Sequence, residues 1–496
     1  MIGAIVGAGL VAAFVVPAHR GGGTPWSDAG GATPVQAIST TTWRAPTASD
    51  AATTKGLGYH PQDRCPVSVP EGITVDCGEL VVPEDRAKPD GRRISLAVAR
   101  IHSRDPHPAP DPVVEVTGGP GVGSLTDLAR FASLPLVDHR DLILWDQRGT
   151  GHSTPKLSCP GADLADRTSD ATQQQVTIDT LRSCARTWRR TGVDLVQYNS
   201  VADALDLAEL RRALGIASWN VRSISYGTSV AQQLLRVAPE GVRTVLLDSP
   251  IAPDAPLSGA TTDAAFLGSL RELDTVCRSQ PGCHDRYGDI VELEDRAEQH
   301  VATALPVQRY RLPDGKIIRY RPSAEEIHAT LHTAAYNSAS YPTYLRTLQA
   351  MAIADDPESL GVAYLTARSL GKLPADRALL QQVSMVCADR RRTEAHAAVD
   401  CRAIGVGTIP AAAAEPLGHQ RTPILVAAGR FDPVLPPARA RTLAKELGAR
   451  LLDAQTGHGV TRADRCTAGV YEAFLDHPDG PLAADCARDL RLPTLG

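Results

Sequence analysis

Short apolar runs alternate with longer amphipathic stretches along most of this chain. PVVEV (112–116), DLILWD (141–146), WNVRSIS (219–225), VRTVLLD (242–248), PILVAAG (423–429) and ARLLDA (449–454) are nearly continuous apolar segments. Strands of that kind, separated by helices, belong to a parallel sheet covered on both faces. Upstream, GELVVPEDR and RRISLAVARI flank the turn sequence AKPDG and predict an antiparallel pair. The stretch SVADALDLAELRRALG predicts a helix with Val201, Ala204, Leu207, Ala208, Leu210 and Leu214 on its apolar side and Gly215 as its stop. From about Pro256 to Leu417 the strand pattern lapses into mainly helical sequence, so this region is expected to be an insertion between two strands of the sheet. The expected class is α/β: a mostly parallel, doubly wound sheet with an inserted, mainly helical cap. The expected spans are 61–255 and 418–496 for the two parts of the core and 256–417 for the cap. No internal repeat of solenoid period is present.

The N-terminal segment has another character. Residues 2–18, IGAIVGAGLVAAFVVPA, form an apolar run ending in a small residue, as in a secretory signal, although a basic n-region is missing. An uncleaved surface anchor is the alternative, at the lower limit of length for spanning a bilayer. Residues 19–60 are rich in Gly, Thr, Ser, Ala and Pro and read as a flexible tether. The ten cysteines fall as near neighbours, 65 with 77, 159 with 184, 277 with 283, 387 with 401 and 466 with 486, and none forms C-x-x-C. Five local disulfides in an oxidising compartment are the most economical reading, against zinc or thioredoxin-like chemistry. The 51 basic and 56 acidic residues give a net charge of −5. That balance offers no nucleic-acid footprint and no polybasic membrane patch, and leaves membrane contact to an anchored N-terminus alone.

The chemistry centres on SISYG (223–227), which lies between a predicted strand and a predicted helix. It resembles the nucleophile elbow G-x-S-x-G of α/β-hydrolases, with Ser225 as nucleophile and Ser223 in place of the first glycine. A nucleophile of this fold needs an acid and then a base later in the chain. Asp432 follows the strand PILVAAG in a Pro-rich turn, and His458 stands between two glycines after ARLLDA. Together these three supply a nucleophile, a carboxylate to orient the imidazole, and the imidazole base. Gly118 and Gly119, just after PVVEV, are candidate oxyanion donors with the N–H of Tyr226. Phosphate-loop and dinucleotide patterns are absent. An ordinary imidazole pKa near 6.5 predicts that activity falls below roughly neutral pH.

Taken together, CGELVVPEDR, GGPG, DLILWDQRGTGHS, ALDLAELRRALG, SISYGT, GRFDPVLPP and GHG resemble the secreted actinomycete-type tripeptidyl aminopeptidases, relatives of proline iminopeptidases. The resemblance runs from about Cys65 to Cys486 with a looser middle. It implies a secreted serine exopeptidase that needs no metal or organic cofactor. Its partners would be peptides with a free N-terminus, whose ammonium group a cap would recognise. Glu325, Glu326 and Asp389 lie in the expected cap and are the candidate carboxylates. The Asp146–Gly149 segment is read as turn-bracing. A secreted carboxylesterase is the alternative within enzymes, because the same three residues cleave esters. A non-catalytic extracellular binder on the same fold is the alternative outside them, with Ser223 its only encouragement.

Overall fold

A computed structural model of the 496-residue chain describes residues 36–37, 52–159, 171–253, 259–311, 317–320, 322, 324–371, 378–389 and 401–488. The apolar segment 2–18 lies outside the described residues. Twelve strands are described: β1 (Gln36–Ala37), β2 (Gly58–Gln62), β3 (Val75–Pro83), β4 (Arg93–Ile101), β5 (Val113–Val116), β6 (Leu142–Trp145), β7 (Trp219–Ile224), β8 (Val242–Asp248), β9 (Gln308–Arg311), β10 (Ile317–Tyr320), β11 (Ile424–Gly429) and β12 (Arg450–Ala454). Residues 1–40 and 306–320 make a small unit whose described part is a three-stranded sheet, β1 parallel to β9 and β9 antiparallel to β10. All other described elements belong to the second unit, 41–305 and 321–496.

In that second unit one nine-stranded sheet runs β12-β11-β8-β7-β5-β6-β4-β3-β2. The pairs from β6 to β12 are parallel, and β2, β3 and β4 continue the sheet antiparallel. The β3–β4 pair holds unbroken register from Val75↔Ile101 to Pro83↔Arg93. Alternation within each apolar run divides its side chains between two cores. Val114, Ile143, Val245, Leu247 and Val426 enter one, while Val113, Leu142, Leu144, Leu246 and Leu425 enter the other. Such strands have no solvent face, which is why they read as continuous apolar sequence.

Seven helices carry the argument below: α1 (Ser200–Ala213), α2 (Gly227–Val237), α3 (Gly259–Ser279), α4 (Ile290–Ala304), α5 (Ala324–Ala334), α6 (Tyr341–Ile353) and α7 (Leu379–Ala388). Between β8 and β11 the described chain of this unit is helical. Helices α3 to α6 share an apolar core of their own, which also takes in Phe431 from the loop after β11. Helix α1 ends as expected, with Gly215 at φ +67° and the Asn199 side chain capping its start through Ala202 N–H. Its buried side is wider than the apolar pattern, because Asp203 and Asp206 are buried with it. Fully buried Arg148 meets both, its backbone N–H reaching Asp203 Oδ1 at 3.4 Å and its guanidinium pairing with Asp206. It donates to both oxygens of Asp206 at 2.8 Å and to the carbonyls of Glu84 and Gln197. A charge taken out of water needs such complete pairing. The bracing reading of 146–149 holds here: Asp146 accepts from Leu125 N and His152 N. All five neighbour disulfides are present, and no cysteine is free among the described residues. No described helix is long and apolar enough to cross a membrane.

Where α2 starts, the helix lies almost on β5: a Cβ on Gly227 would sit 2.1 Å from the Val116 carbonyl oxygen. By contrast, Gly268 in α3 has nothing within 4 Å of that position. Gly227→Ala is therefore expected to lower unfolding free energy by at least about 1–3 kcal/mol. Gly268→Ala is expected to raise it by roughly 0.5–1 kcal/mol through helix propensity. Urea unfolding of the two variants beside the parent checks both signs.

Candidate active site

Ser225 occupies the sharp corner between β7 and α2, with φ +53°. A non-glycine residue in this left-handed region costs on the order of 1–2 kcal/mol and persists only where its surroundings enforce it. Three contacts do so. Ser225 N–H donates to Asp248 O at 2.9 Å, Gly227 seats α2 against β5, and Gly118 closes over the front. A Cβ on Gly118 would lie 2.7 Å from Ser225 Cβ and 2.8 Å from Ile224 O, so only glycine lets that loop rest on the serine. Gly119 follows at φ +123°. Gln147 holds the same loop by donating to Thr117 O at 2.9 Å. The Ser223 hydroxyl donates to Leu246 O on β8, so the residue at the first glycine position ties β7 to its neighbour strand.

Asp432 and His458 are brought together. The imidazole Nδ1–H donates to Asp432 Oδ2 at 2.9 Å and lies 3.1 Å from Oδ1. Oδ1 also accepts from Val434 N and Leu435 N, so the turn itself aims the carboxylate. Burial works against charge on both groups, and their pairing outweighs it. Asp432 is held below the ordinary carboxylate range, and His458 is raised above 6.5 chiefly by the Asp432 charge and hydrogen bond. The helical layer grips this loop directly. Ser269 on α3 and Tyr341 on α6 donate to Phe431 O at 2.9 and 3.2 Å, and His332 on α5 donates to Pro433 O at 2.8 Å. Tyr336, just past α5, accepts from His458 N at 2.9 Å and sets its ring 5.4 Å from the imidazole.

The Ser225 and His458 loops meet at the end of β8. Buried Asp248 takes Ser225 N–H on its carbonyl, Val460 N–H on Oδ1 at 2.7 Å, and Thr461 N–H and hydroxyl on Oδ2 at 2.8 and 2.7 Å. Ser249, itself at φ +48°, accepts from Gly459 N at 3.0 Å. Behind them, Glu115 on β5 pairs with Arg222 on β7 and with Arg462. Burial opposes the Glu115 charge, but the two guanidiniums keep its pKa low. Among the described residues the imidazole's hydrogen bonds go to Asp432, and none joins it to the Ser225 hydroxyl.

The three cap candidates fare differently. Asp389, at the end of α7, accepts from Ser200 N at 3.2 Å and from the Tyr226 hydroxyl, which places it against the residue after Ser225. Burial raises its pKa despite those bonds. Glu326 is half-buried on α5. The Glu325 side chain lies outside the described residues. Sequence reasoning missed Asp248, Ser249, His332 and Tyr336. For the first, a signal existed: an acid ending an apolar parallel strand sits at the carboxyl edge where such sheets place their sites.

Residues 111–276 match the family model described as alpha/beta hydrolase fold, and 388–486 match that of TAP-like protein. These matches and the mostly parallel nine-stranded sheet show the α/β-hydrolase fold. It is 31% identical over 249 residues to "Tripeptidyl aminopeptidase" of Streptomyces coelicolor, covering 45% of this chain and 44% of that protein. It is 28% identical over 231 residues to "Serine protease Hip1" of Mycobacterium tuberculosis, covering 44% of each. The match thus spans less than half the length of these curated relatives. Among solved structures, proline iminopeptidase of Mycobacterium smegmatis aligns at 14% identity and a TM-score of 0.41, covering 81% of this chain and 98% of that one.

The charge pairing at Asp432 sets an expectation for titration. The neutral imidazole, the form able to accept a proton, is reached only as pH rises through a value above 6.5. NMR of ring-labelled histidine is expected to place the His458 midpoint above 6.5. Asp432→Asn, which removes the charge and leaves the opposing burial, is expected to lower it.

Proposed function

We propose that this α/β-hydrolase is a secreted serine exopeptidase that hydrolyses peptide bonds near the free N-terminus of peptides, in the manner of a tripeptidyl aminopeptidase. The observation that carries the reading is the Asp432–His458 hydrogen bond, with the His458 loop meeting Ser225 at the Asp248 corner. When substrate arrives, His458 Nε2 takes the Ser225 proton as the hydroxyl oxygen attacks the scissile carbonyl carbon. A catalytic hydrogen bond of this kind commonly tightens only in the substrate complex. The oxyanion is received by N–H groups of the Gly118–Gly119 loop and of Tyr226. His458 then passes its proton to the departing amine, and water repeats the sequence on the acyl-enzyme. Asp432 holds the Nδ1–H tautomer and balances the imidazolium charge throughout.

Five bridged cysteine pairs support an oxidising compartment and hence export. For the substrate's ammonium group, Asp389 has the best support of the three carboxylates, because its partner Tyr226 adjoins the nucleophile. An esterase reading is favoured by a shorter likeness, 33% identity over 90 residues to "Carboxylesterase B" of Mycobacterium tuberculosis.

A fluorophosphonate probe is expected to label the parent chain and not Ser225→Ala, with the adduct mapped to Ser225 by mass spectrometry. Tripeptidyl anilides with a free amino group are expected to be cleaved faster than N-acetylated ones or short acyl esters. Asp389→Asn is expected to raise KM for the free-amino substrates at least about tenfold, the effect of about 1.4 kcal/mol of lost binding. A preference for acyl esters with indifference to the amino group selects the esterase.

A further inference from the structure

Away from the serine, a second cluster of polar side chains lies between α4 and α5. Glu294 and Glu298 stand four residues apart on one side of α4, and His328 faces them from α5. One donor atom from each lies within 4.8 Å of the others. Two like charges at this helical spacing repel, and cost α4 stability unless something positive sits between them. Within the cluster His328 is the positive neighbour, and its hydrogen bond goes to Glu298. His328 Nδ1 is 3.2 Å from Glu298 Oε2, and its Nε2 is 3.4 Å from Asp263 Oδ1. Glu294, only 7% exposed, has its Oε1 buried without any hydrogen-bond partner. An unsatisfied buried carboxylate oxygen is expensive, and Glu294 is one of the three residues whose donor atoms gather here.

We propose that Glu294, Glu298 and His328 bind a divalent first-row transition-metal ion of the Zn²⁺ type. Two carboxylates and one imidazole form a mixed oxygen and nitrogen set, which suits such ions better than all-oxygen Ca²⁺ or Mg²⁺ cages. In a tetrahedral site with bonds of about 2.0–2.1 Å, the donor atoms stand about 3.3 Å apart. The Glu298–His328 pair already has that spacing at 3.2 Å, and the third donor, within 4.8 Å of both, closes the set by a side-chain movement. The surroundings match a metal histidine's usual support. Asp263 stands 3.4 Å from the far nitrogen, the position carboxylates take behind ligating imidazoles, and Phe266 packs edge-on at 5.4 Å.

The position gives the ion a structural consequence. Phe266 also touches His332 at 5.1 Å, His332 touches Tyr336 at 5.6 Å, and Tyr336 touches His458 at 5.4 Å. An ion joining α4 to α5 thereby fastens the helix that reaches the Asp432 loop. The site uses none of the groups assigned to hydrolysis, so its test stands apart from the peptidase reading.

The full chain, stripped with EDTA, is titrated with Zn²⁺ by calorimetry and with Co²⁺ by visible absorption. One ion per chain, a rise in Tm on adding Zn²⁺, and d–d bands of a low-coordinate Co²⁺ centre are expected. Glu298→Gln and His328→Gln should each weaken binding at least about a hundredfold, whereas His284→Gln, at an exposed histidine elsewhere, leaves it unchanged. The Co²⁺ spectrum of the parent needs no variant, so a misfolded substitution does not remove the test. Absence of stoichiometric binding, or binding indifferent to both substitutions, overturns the proposal.

Discussion

One buried carboxylate at the end of a central strand organises the site. Asp248 accepts hydrogen bonds from the loop after His458 through both side-chain oxygens and from Ser225 through its carbonyl. The two loops are separated by more than two hundred residues and share no strand. Their meeting depends on β8 lying between β7 and β11, and on an acid at its carboxyl end. The strained backbone at Ser225 and Ser249 is affordable only because this corner is so heavily bonded.

The acid loop depends on a different part of the molecule. Phe431 is packed into the core of the helices between β8 and β11, and three of those helices hold the carbonyls on either side of Asp432. The helical layer is therefore part of the apparatus that sets the imidazole's partner, beyond any role in enclosing substrate. Glu115, with Arg222 and Arg462, performs the corresponding task beneath the His458 loop.

The parallel strands were legible because burial on both faces writes them as unbroken apolar runs. Ser225, Asp432 and His458 stood out because each follows a strand in the order such a site requires, and of the three the structure joins Asp432 and His458 directly. Strand β2 was not: Gly-Tyr-His-Pro-Gln carries no alternation, and its pairing with β3 comes from the partner's register. Asp203 and Asp206 look like the solvated side of α1 until Arg148 arrives from a distant turn. Asp248 was hidden for a related reason, since its work is to accept backbone N–H groups, which leaves no motif. Glu294 and Glu298 likewise read as an ordinary wet helix face until α5 brings His328 beside them.

The central claim is that the Asp248 corner holds serine and imidazole in working register. Its most direct test is the rate of fluorophosphonate inactivation of Asp248→Asn, with circular dichroism to confirm the fold. Displacement of the loops by about an ångström should slow labelling of Ser225 about a hundredfold while the fold persists. Labelling at the parent rate in a folded variant would contradict the account.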